Sequence, residues 1–495
     1  MGKSEKDQKT VFVIFGVSGD LTFKKLMPAL YENAIKGKLP AHFSIIGFSR
    51  RDWTTSTLRE ILSESINRNT SETPVNHAIL TRLLENTYYI KADFSEKRGY
   101  EELEKYFCDL EAENAIYYLA TPPSAYETII KLIGETKLQN CPKGPAKIVV
   151  EKPFGSDQES ARILDRSLHD VFTEDQIFRM DHYLGKETVQ NIMAFRFGNG
   201  IFEPLWNRNY IDHVQITMAE SEGIGTRAGY YEQAGVSKDV FQNHLLQLLT
   251  LTAMEAPSAF TSVAVRDEKV KVLNSLAIMT DEMVLKQTVR GQYAHGMIEG
   301  ARVKGYHCEN GVAPDSKTET YMAVKVMINN WRWAGVPFYL RSGKCLPKRA
   351  TQIIIQFKQL PLSLFGSRNL AGDAPNLLIF SLQPDEGITL YLGAKAPGPI
   401  HQIEPVEMRF SYKETFGIEL PEAYERLLLD VIMGDTTLFN RNDEVDVAWK
   451  YTDQIISSWK KSDVAKLPTY RAGSWGPKEA DQLIGNDGRV WFNPK

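Results

Sequence analysis

A short apolar strand that runs directly into a glycine turn constrains the fold of this chain more than any other sequence feature. Residues 11–15 read Val-Phe-Val-Ile-Phe, a continuous apolar run typical of a strand buried on both faces of a parallel sheet. Residues 16–21, Gly-Val-Ser-Gly-Asp-Leu, form the turn, and Leu26, Leu30 and Ala34 then recur at helical spacing. Strand, glycine turn and helix in this order predict the start of a doubly wound α/β domain.

The same alternation continues along the next part of the chain. Apolar runs at 43–48, 88–90, 115–120 and 147–150 alternate with helical patterns such as 54–69. This rhythm favours consecutive strand–helix–strand units and therefore a parallel sheet.

After about residue 185 the predicted strands follow one another without helices between them, which is typical of antiparallel sheets. We therefore predict a disordered tail at 1–10, a Rossmann-like dinucleotide-binding domain at 11–185, and a larger α+β domain at 186–495 with a big, mostly antiparallel sheet. Helices at 239–252 and 421–433 are expected to cover one face of that sheet. Its predicted strands are 213–220, 321–328, 351–357, 377–382, 388–392 and 408–412.

Charge and cysteine usage narrow the possible partners and the compartment. The formal net charge is -4, so no global field attracts nucleic acid or an anionic membrane. The four cysteines are scattered and form no C-x-x-C pair, which fits a reducing compartment. The N-terminus lacks an apolar signal segment, and no apolar stretch reaches the length of a membrane span. We expect a cytoplasmic protein with no nucleic-acid or membrane partner.

The glycine turn is a candidate dinucleotide site. Its glycines stand at 16 and 19, whereas the common fingerprint has three, so the turn alone could be a plain strand-to-helix connection. The buried strand before it and the helix after it favour the functional interpretation, because glycines let the backbone approach a pyrophosphate at a helix N-terminus.

The end of the second strand bears on the choice between NAD and NADP. It reads Gly-Phe-Ser and then Arg50 and Arg51. NAD enzymes commonly carry an acidic residue here, whereas an arginine suits a 2′-phosphate. An exposed basic pair at a strand end is the alternative. The position of the arginine pair, directly after the second strand, favours binding of NADP. Arg50 is the stronger candidate because it is the first residue after the strand.

Two further segments carry groups that could bind a phosphosugar. Lys152 stands at the C-terminal end of a parallel strand, where ligands of such sheets bind, and before a proline, which restricts its backbone to extended geometry. The alternative is that this Lys-Pro pair is a simple turn. Residues 181–186 read Asp-His-Tyr-Leu-Gly-Lys, and the histidine, tyrosine and lysine together make a plausible phosphate clamp.

A third segment, 238–246, reads as the start of a helix with Ser237 as its N-cap. His244 lies in this helix among leucines, so it could be a structural histidine of a core helix. Imidazole titrates near neutral pH and also suits the general base that oxidation of an alcohol requires. No metal-ligand cluster is visible in the sequence to do that work instead.

These motifs together resemble one family. GVSGDL, EKPFG, FRMDHYLGK, KDVFQNHLLQ and RSGKCLPKR occur in this order, and from about residue 11 to the C-terminal VWFNP the chain resembles the glucose-6-phosphate dehydrogenase family. The resemblance implies oxidation of glucose 6-phosphate at C1 to 6-phosphogluconolactone with hydride transfer to NADP, the oxidative entry to the pentose phosphate pathway. By analogy with other enzymes of this size that contain a large antiparallel sheet, we also expect a homodimer or homotetramer.

The resemblance implies a role for each site residue. His244 would take the proton of the C1 hydroxyl, and Asp181 would be its carboxylate partner. The implied substrate contacts are Lys152, His182, Tyr183, Lys186, Glu220, Asp239, Lys344, Arg349 and Gln383. The implied cofactor contacts are Gly16, Val17, Ser18, Gly19, Asp20, Leu21, Thr22, Lys25, Arg50, Tyr126 and Lys152.

In one respect the chain departs from the family's animal members, which hold a second, structural NADP through basic residues. Here Ala350, Ile354, Ser381 and Trp475 stand at such positions, and Arg341 remains. Because the lost cations would have made charge-assisted bonds to the 2′-phosphate, we predict no tightly held structural NADP.

The residues alone also allow two other functions. The segment EKP after a parallel strand also occurs in other NADP-linked sugar oxidoreductases, which are usually shorter and are not expected to carry RMDHYLGK. A dinucleotide-binding sensor without catalysis would have lost the base or the phosphate clamp, yet His244 and Lys186 are both present.

Overall fold

The computed structural model describes residues 8–494 apart from 72–73, 141–143, 145, 363–374, 399–402, 418–419 and 463–466. Contacts between the described residues divide the chain into two compact units. The first unit consists of Met1–Lys186, Ser258–Arg266 and Pro421–Asp446, and the second of Glu187–Pro257, Asp267–Leu420 and Val447–Lys495. The segments 258–266 and 421–446 therefore depart from the predicted continuous domain of 186–495.

The helices are numbered in chain order. They are α1 (Met27–Ile35), α2 (Thr55–Asn69), α3 (His77–Glu85), α4 (Lys97–Asp109), α5 (Tyr126–Glu135), α6 (Gln158–His169), α7 (Glu187–Phe197), α8 (Ala228–Val236), α9 (Leu246–Ala253), α10 (Ser262–Asn274), α11 (Asp281–Gln287), α12 (Tyr412–Phe416), α13 (Ala423–Met433), α14 (Asn442–Lys461) and α15 (Lys478–Gly485). The π-helical segments Thr22–Leu26 and Ser237–Leu245 lead directly into α1 and α9.

A parallel sheet forms the centre of the first unit. Its described strands are β1 (Lys9–Phe15), β2 (His42–Ser49), β3 (Thr87–Lys91), β4 (Asn114–Leu119), β5 (Lys147–Glu151) and β6 (Ile177–Met180). They lie in the order β3-β2-β1-β4-β5-β6, and every neighbouring pair is parallel. This is the strand order of a doubly wound dinucleotide fold, which confirms the predicted fold class. β1 begins at Lys9, within the predicted tail, and residues 1–7 of that tail lie outside the described residues.

A mixed, mostly antiparallel sheet dominates the second unit. The described strands of this unit are β7 (Ile211–Ala219), β8 (Thr288–Ala294), β9 (Gly296–Ile298), β10 (Ala301–Val303), β11 (Tyr321–Met327), β12 (Pro337–Gly343), β13 (Ala350–Phe357), β14 (Leu377–Gln383), β15 (Gly387–Lys395), β16 (Ile403–Ser411) and β17 (Thr469–Arg471). Nine of them, among the residues described, form one sheet in the order β16-β15-β14-β13-β7-β12-β11-β8-β17, and β9 pairs with β10. The predicted mostly antiparallel sheet is confirmed, and β7–β12 and β8–β17 are its parallel pairs.

The structure corrects the predicted position of the helix at 421–433. This helix, α13, belongs to the first unit, whereas the prediction assigned it to the domain of the large sheet. The side-chain amide of Asn33 donates to the Glu425 carbonyl at 2.8 Å, and the Lys147 ammonium donates to the carbonyls of Val431 and Ile432 at 3.1 and 2.8 Å. A lysine at the last carbonyls of a helix satisfies groups that have no partner within the helix. The amphipathic pattern of α13 predicted a buried face, but these distant polar partners decide which unit buries it.

Among the described residues, no helix combines the length and apolar character that crossing a bilayer requires.

Candidate active site

The carboxyl edge of the parallel sheet carries four of the segments that the sequence singled out. The glycine turn follows β1, Arg50 follows β2, Lys152 follows β5, and residues 181–186 follow β6. In open α/β sheets ligands bind outside the carboxyl ends of the strands, at the point where the strand order reverses. That point lies between β1 and β4.

Backbone geometry explains why Gly16 must be a glycine. Its φ is +83°, and a Cβ placed there would lie 2.4 Å from the carbonyl oxygen of Ala120. The Gly16 N–H donates to the Phe48 carbonyl at 2.8 Å, and the Gly19 N–H donates to the Gly16 carbonyl at 2.9 Å. The turn therefore lies close against the ends of β2 and β4, while Gly16, Ser18 and Gly19 remain partly exposed and accessible to a ligand.

Two threonine hydroxyls beside this turn suggest that the cradle fits a polar ligand. The Oγ1 atoms of Thr22 and Thr121 are buried and have no hydrogen-bond partner among the described residues. Buried polar groups nearly always have a hydrogen-bond partner. A bound phosphate or ribose would supply partners for these two hydroxyls. Thr121 was missed by the sequence reasoning, although its place directly after the β4 apolar run was visible.

Arg50 presents its guanidinium at the end of β2. The side chain is 73% exposed, and its Nη1 lies 3.7 Å from Oδ2 of Asp93. Hydrogen bonds from Ser95, together with the charge of Arg50, hold the pKa of the Asp93 carboxyl below its usual value. Such a loosely paired guanidinium remains able to bind a 2′-phosphate.

A buried carboxyl lies immediately before Lys152. Oε1 of Glu151 accepts hydrogen bonds from the hydroxyls of Tyr118 and Tyr424 at 2.5 and 3.1 Å. Burial raises the pKa of the Glu151 carboxyl above its usual value. Tyr126 is also buried and donates its hydroxyl to the Glu151 carbonyl at 3.1 Å. Tyr126 therefore supports the end of β5, next to Lys152, and the hydrogen of its hydroxyl is used in this bond within the protein.

The segment 181–186 brings its functional groups together. Oδ1 of Asp181 accepts from the Tyr183 N–H at 3.0 Å, and the Lys186 ammonium lies 4.9 Å from the centre of the Tyr183 ring. The His182 ring stacks on Tyr424 with 6.3 Å between centres and 10° between planes. Imidazole, phenol and ammonium are thus held on one short stretch, as a phosphate clamp requires.

Asp20 and Lys25, both predicted along the cofactor, make ion pairs with side chains. Oδ2 of Asp20 accepts from the Lys24 ammonium at 2.7 Å, and the Lys25 ammonium lies 3.0 Å from Oε2 of Glu422. Lys24, Asp20 and Glu422 are largely exposed and Lys25 is 43% exposed, so these pairs are weak and can rearrange when a ligand binds.

In the second unit, Glu220 and Lys344 follow the ends of two parallel strands. β7 and β12 pair in parallel up to Ala219 and Gly343, so the next residue of each strand lies at the same sheet edge. The buried Lys344 ammonium donates to Oε2 of Glu220 at 2.5 Å. The sequence of residues 337–343 does not predict a strand, so this pair could not be anticipated from the sequence.

Asp239 and His244 lie on the π-helix Ser237–Leu245 and are both buried. The Tyr230 hydroxyl is 3.4 Å from Oδ1 of Asp239. The predicted N-cap role of Ser237 is wrong. Its backbone is helical because α8 runs almost directly into the π-helix. Its hydroxyl donates to Glu319 and not to a backbone N–H of its own helix.

Arg349 and Gln383 are not part of the Glu220–Lys344 pair. Arg349 is exposed just before β13. The Gln383 amide donates to the Thr351 hydroxyl at 2.9 Å, between antiparallel strands β14 and β13. Their substrate contacts stay predictions.

Arg341, the basic residue that the sequence analysis found still present at the positions of a second NADP, is bonded within the protein. It is buried in β12, its Nε donates to Thr217 at 3.0 Å, and its Nη2 donates to Asn493 at 2.7 Å. Its guanidinium also lies over the rings of Trp491 and Trp475, at 4.3 and 5.4 Å. These contacts favour the expected absence of a second NADP, which stays a prediction.

One group of potential metal ligands in the first unit is better explained by an ion-pair network. Asp165, His169 and Glu174 place possible ligand atoms within 4.8 Å of one another. The buried Arg179 guanidinium donates to both carboxylates, at 2.5 and 2.7 Å, and so supplies the positive charge that a metal would.

The strand order, the glycine cradle and the acidic and basic groups beside it define a nicotinamide dinucleotide-dependent oxidoreductase. Comparison with known proteins identifies which kind. Residues 13–191 match the family model described as "Glucose-6-phosphate dehydrogenase, NAD binding domain", and residues 193–492 match that of its C-terminal domain. The chain belongs to the glucose-6-phosphate dehydrogenase family.

Individual relatives agree with this assignment. Glucose-6-phosphate 1-dehydrogenase of Aggregatibacter actinomycetemcomitans is 45% identical over 495 residues, covering 99% of this chain and 98% of that protein. The enzyme of Bacillus subtilis is 41% identical, covering 99% and 100%. A solved "Glucose-6-phosphate dehydrogenase in complex with its substrate glucose-6-phosphate" superposes with a TM-score of 0.90 at 34% identity, covering 98% of this chain and 99% of that one. The resemblance predicted from the motifs is confirmed.

Proposed function

We propose that this chain oxidises glucose 6-phosphate at C1 to 6-phosphogluconolactone with NADP as the hydride acceptor. The observation that carries the proposal is one sheet edge bearing both the glycine cradle after β1 and the His182–Tyr183–Lys186 clamp after β6. A dinucleotide site and a phosphate site on the same edge suit a phosphorylated sugar.

NADP, when bound, supplies the acceptor for the hydride that leaves C1. The residues proposed to hold it are 16–22, Lys25, Arg50, Tyr126 and Lys152. The open glycine backbone and the unpaired hydroxyl of Thr22 fit a pyrophosphate. Arg50 fits the 2′-phosphate because guanidinium binds phosphate in bidentate fashion. We add Thr121 to this set because its hydroxyl is also unpaired within the described structure.

The protein's own residues handle the proton and the sugar. His244 is proposed to accept the C1 hydroxyl proton, and Asp181 to stabilise the imidazolium. His182, Tyr183 and Lys186 bind the 6-phosphate, and Lys152 binds near the reacting carbon. Glu220, Asp239, Lys344, Arg349 and Gln383 complete the sugar pocket. Carboxylates suit sugar hydroxyls because they act as acceptors only.

A substrate panel tests the proposal. NADP reduction, followed by nicotinamide absorbance, is expected to be fastest with glucose 6-phosphate. The kcat/KM for unphosphorylated glucose should be lower by about 10³-fold, because two or more charge-assisted bonds to the phosphate are lost. A faster reaction with another sugar would instead favour a different sugar oxidoreductase. NADP binding without turnover on any sugar would favour a sensor.

We propose further that the chain forms a homodimer or homotetramer through the end of the large sheet that β16 occupies. Within the described part of the second unit, β16 is the terminal strand of that order. Met408 on β16 and Phe416 on α12 are 62% and 58% exposed. A sheet edge flanked by exposed apolar side chains favours association.

Met408→Glu tests this surface. Light scattering after size-exclusion chromatography should give two or four times the mass of one chain for the wild type, and a shift toward the monomer for the variant. Ile278→Glu, a change at an apolar residue that is 85% exposed elsewhere in the second unit, is the matched control and should not alter the mass. An unchanged mass for Met408→Glu would exclude this interface.

A cytoplasmic location is also proposed. Within the described residues, Cys108, Cys308 and Cys345 are free thiols, as expected of a reducing compartment.

A further inference from the structure

The π-helix Ser237–Leu245 has a geometric consequence for the proposed catalytic residues. The Leu246 N–H is directed at the carbonyls of Asn243 and Phe241, three and five residues earlier, and the second separation is that of a π-turn. Asp239 and His244 are also five residues apart. In an α-helix of 3.6 residues per turn, such a pair would be rotated by about 140°. The wider π-turn brings them close to the same face.

A buried carboxylate accepts two hydrogen bonds from the first residue of this π-helix. Oε1 of Glu319, the residue two before β11, accepts from the Ser237 hydroxyl at 2.5 Å and from the Ser237 N–H at 3.3 Å. The first N–H groups of a helix have no partner inside it, and an anion there is favoured by the helix dipole. From the segment just before β11, Glu319 thus supplies the hydrogen-bond acceptor that a local N-cap residue would otherwise supply.

The backbone before the π-helix is shaped to admit this carboxylate. Gly235 has a φ of +58° and a ψ of 179°, and a Cβ there would lie 2.4 Å from Oε1 of Glu319. The Val236 N–H donates to the Glu319 carbonyl at 3.0 Å. The kink at Gly235 therefore leaves room for the Glu319 carboxylate at the point where α8 ends and the π-helix begins.

The surroundings hold Glu319 in place. The Tyr231 hydroxyl is 3.4 Å from its carbonyl oxygen. Burial raises the pKa of its carboxyl, which the Ser237 hydrogen bonds and the Arg290 charge partly oppose. The Arg290 guanidinium is itself held over the Trp459 ring at 5.2 Å.

We propose that Glu319 is a positioning residue, which fixes the start of the π-helix so that Asp239 and His244 share one face toward the substrate. This rests on the proposed function. Glu319 touches no reacting atom, and its effect passes through Ser237 and the helix.

Glu319→Ala is expected to lower kcat about 10- to 100-fold, because small misplacements of catalytic groups have effects of this size. The affinity for glucose 6-phosphate, measured by calorimetry, should also fall because Asp239 moves with the helix, whereas KM for NADP should not change. Glu319→Gln keeps an acceptor for the Ser237 hydroxyl and should restore kcat to within about fivefold of wild type, the effect of one neutral hydrogen bond. Ser237→Ala added to Glu319→Ala should produce little further loss.

Two control variants separate positioning from simple destabilisation. Val324→Ala, at a buried residue of β11, should lower Tm without lowering kcat. Asp315→Ala, at an exposed carboxylate of the same segment, should change neither. The inference is overturned if Glu319→Ala keeps kcat within about twofold of wild type, if Val324→Ala loses kcat equally at the same loss of Tm, or if the Ser237 and Glu319 effects simply add.

Failure of this inference is distinguishable from failure of the proposed function. A wild type that does not reduce NADP with glucose 6-phosphate overturns both. An active wild type with an equally active Glu319→Ala variant overturns this inference alone.

Discussion

Replacing His244 with alanine is expected to lower kcat for glucose 6-phosphate oxidation by about 10³-fold, within the range that a positioned general base contributes. The C1 hydroxyl proton must leave as the hydride departs, and an alanine cannot accept it. The KM for glucose 6-phosphate should change little, because His182 and Lys186, and not His244, are proposed to hold the phosphate. For the same reason calorimetry should still show substrate binding to the variant.

The exposed His42 offers a matched control, and His42→Ala should keep the wild-type kcat. Wild-type activity should fall toward acid pH, since a protonated imidazole accepts no proton, and this limb should flatten in the residual activity of the variant. A His244→Ala enzyme with more than about a tenth of wild-type kcat would assign the base elsewhere.

Arg50→Ala is expected to change cofactor choice. The kcat/KM with NADP should fall about 100-fold, since charge-assisted hydrogen bonds are worth about 1.5–3 kcal/mol each. With NAD, which has no 2′-phosphate, it should change less than about twofold. The ratio of the two values, measured with saturating glucose 6-phosphate, reports the effect directly.

Arg51→Ala is the closest control because Arg51 is the exposed neighbour of Arg50. It should leave the NADP-to-NAD ratio near that of the wild type. Equal losses with both cofactors in Arg50→Ala would mean that this arginine does not recognise the 2′-phosphate.

The first unit was predictable because its determinants are local. A strand buried on both faces must be continuously apolar, as residues 11–15 are, and the structure buries all of them. Glycine at position 16 is required by a positive φ and a close carbonyl, which is a constraint that a single residue type records. Each strand end also marks a sheet edge, so Arg50 and Lys152 could be placed from the strand pattern alone.

The second unit was less predictable because its determinants are distant in sequence. β12 carries Arg341, Ser342 and Gly343, which look like loop residues until their neighbours bury them. The Glu220–Lys344 pair exists because β7 and β12 are parallel neighbours more than a hundred residues apart in the chain.

By itself, the sequence determined the parallel sheet, the glycine turn and the family, and it supplied the candidate residues of the proposed site. These follow from the apolar period of each strand and from short motifs. Only the tertiary structure decided that α13 belongs to the first unit, that Ser237 is held by Glu319, and that the helix of His244 is a π-helix. The physical reason is that a hydrogen-bond partner or a helical register set by distant residues leaves no periodic signal in the segment that it shapes.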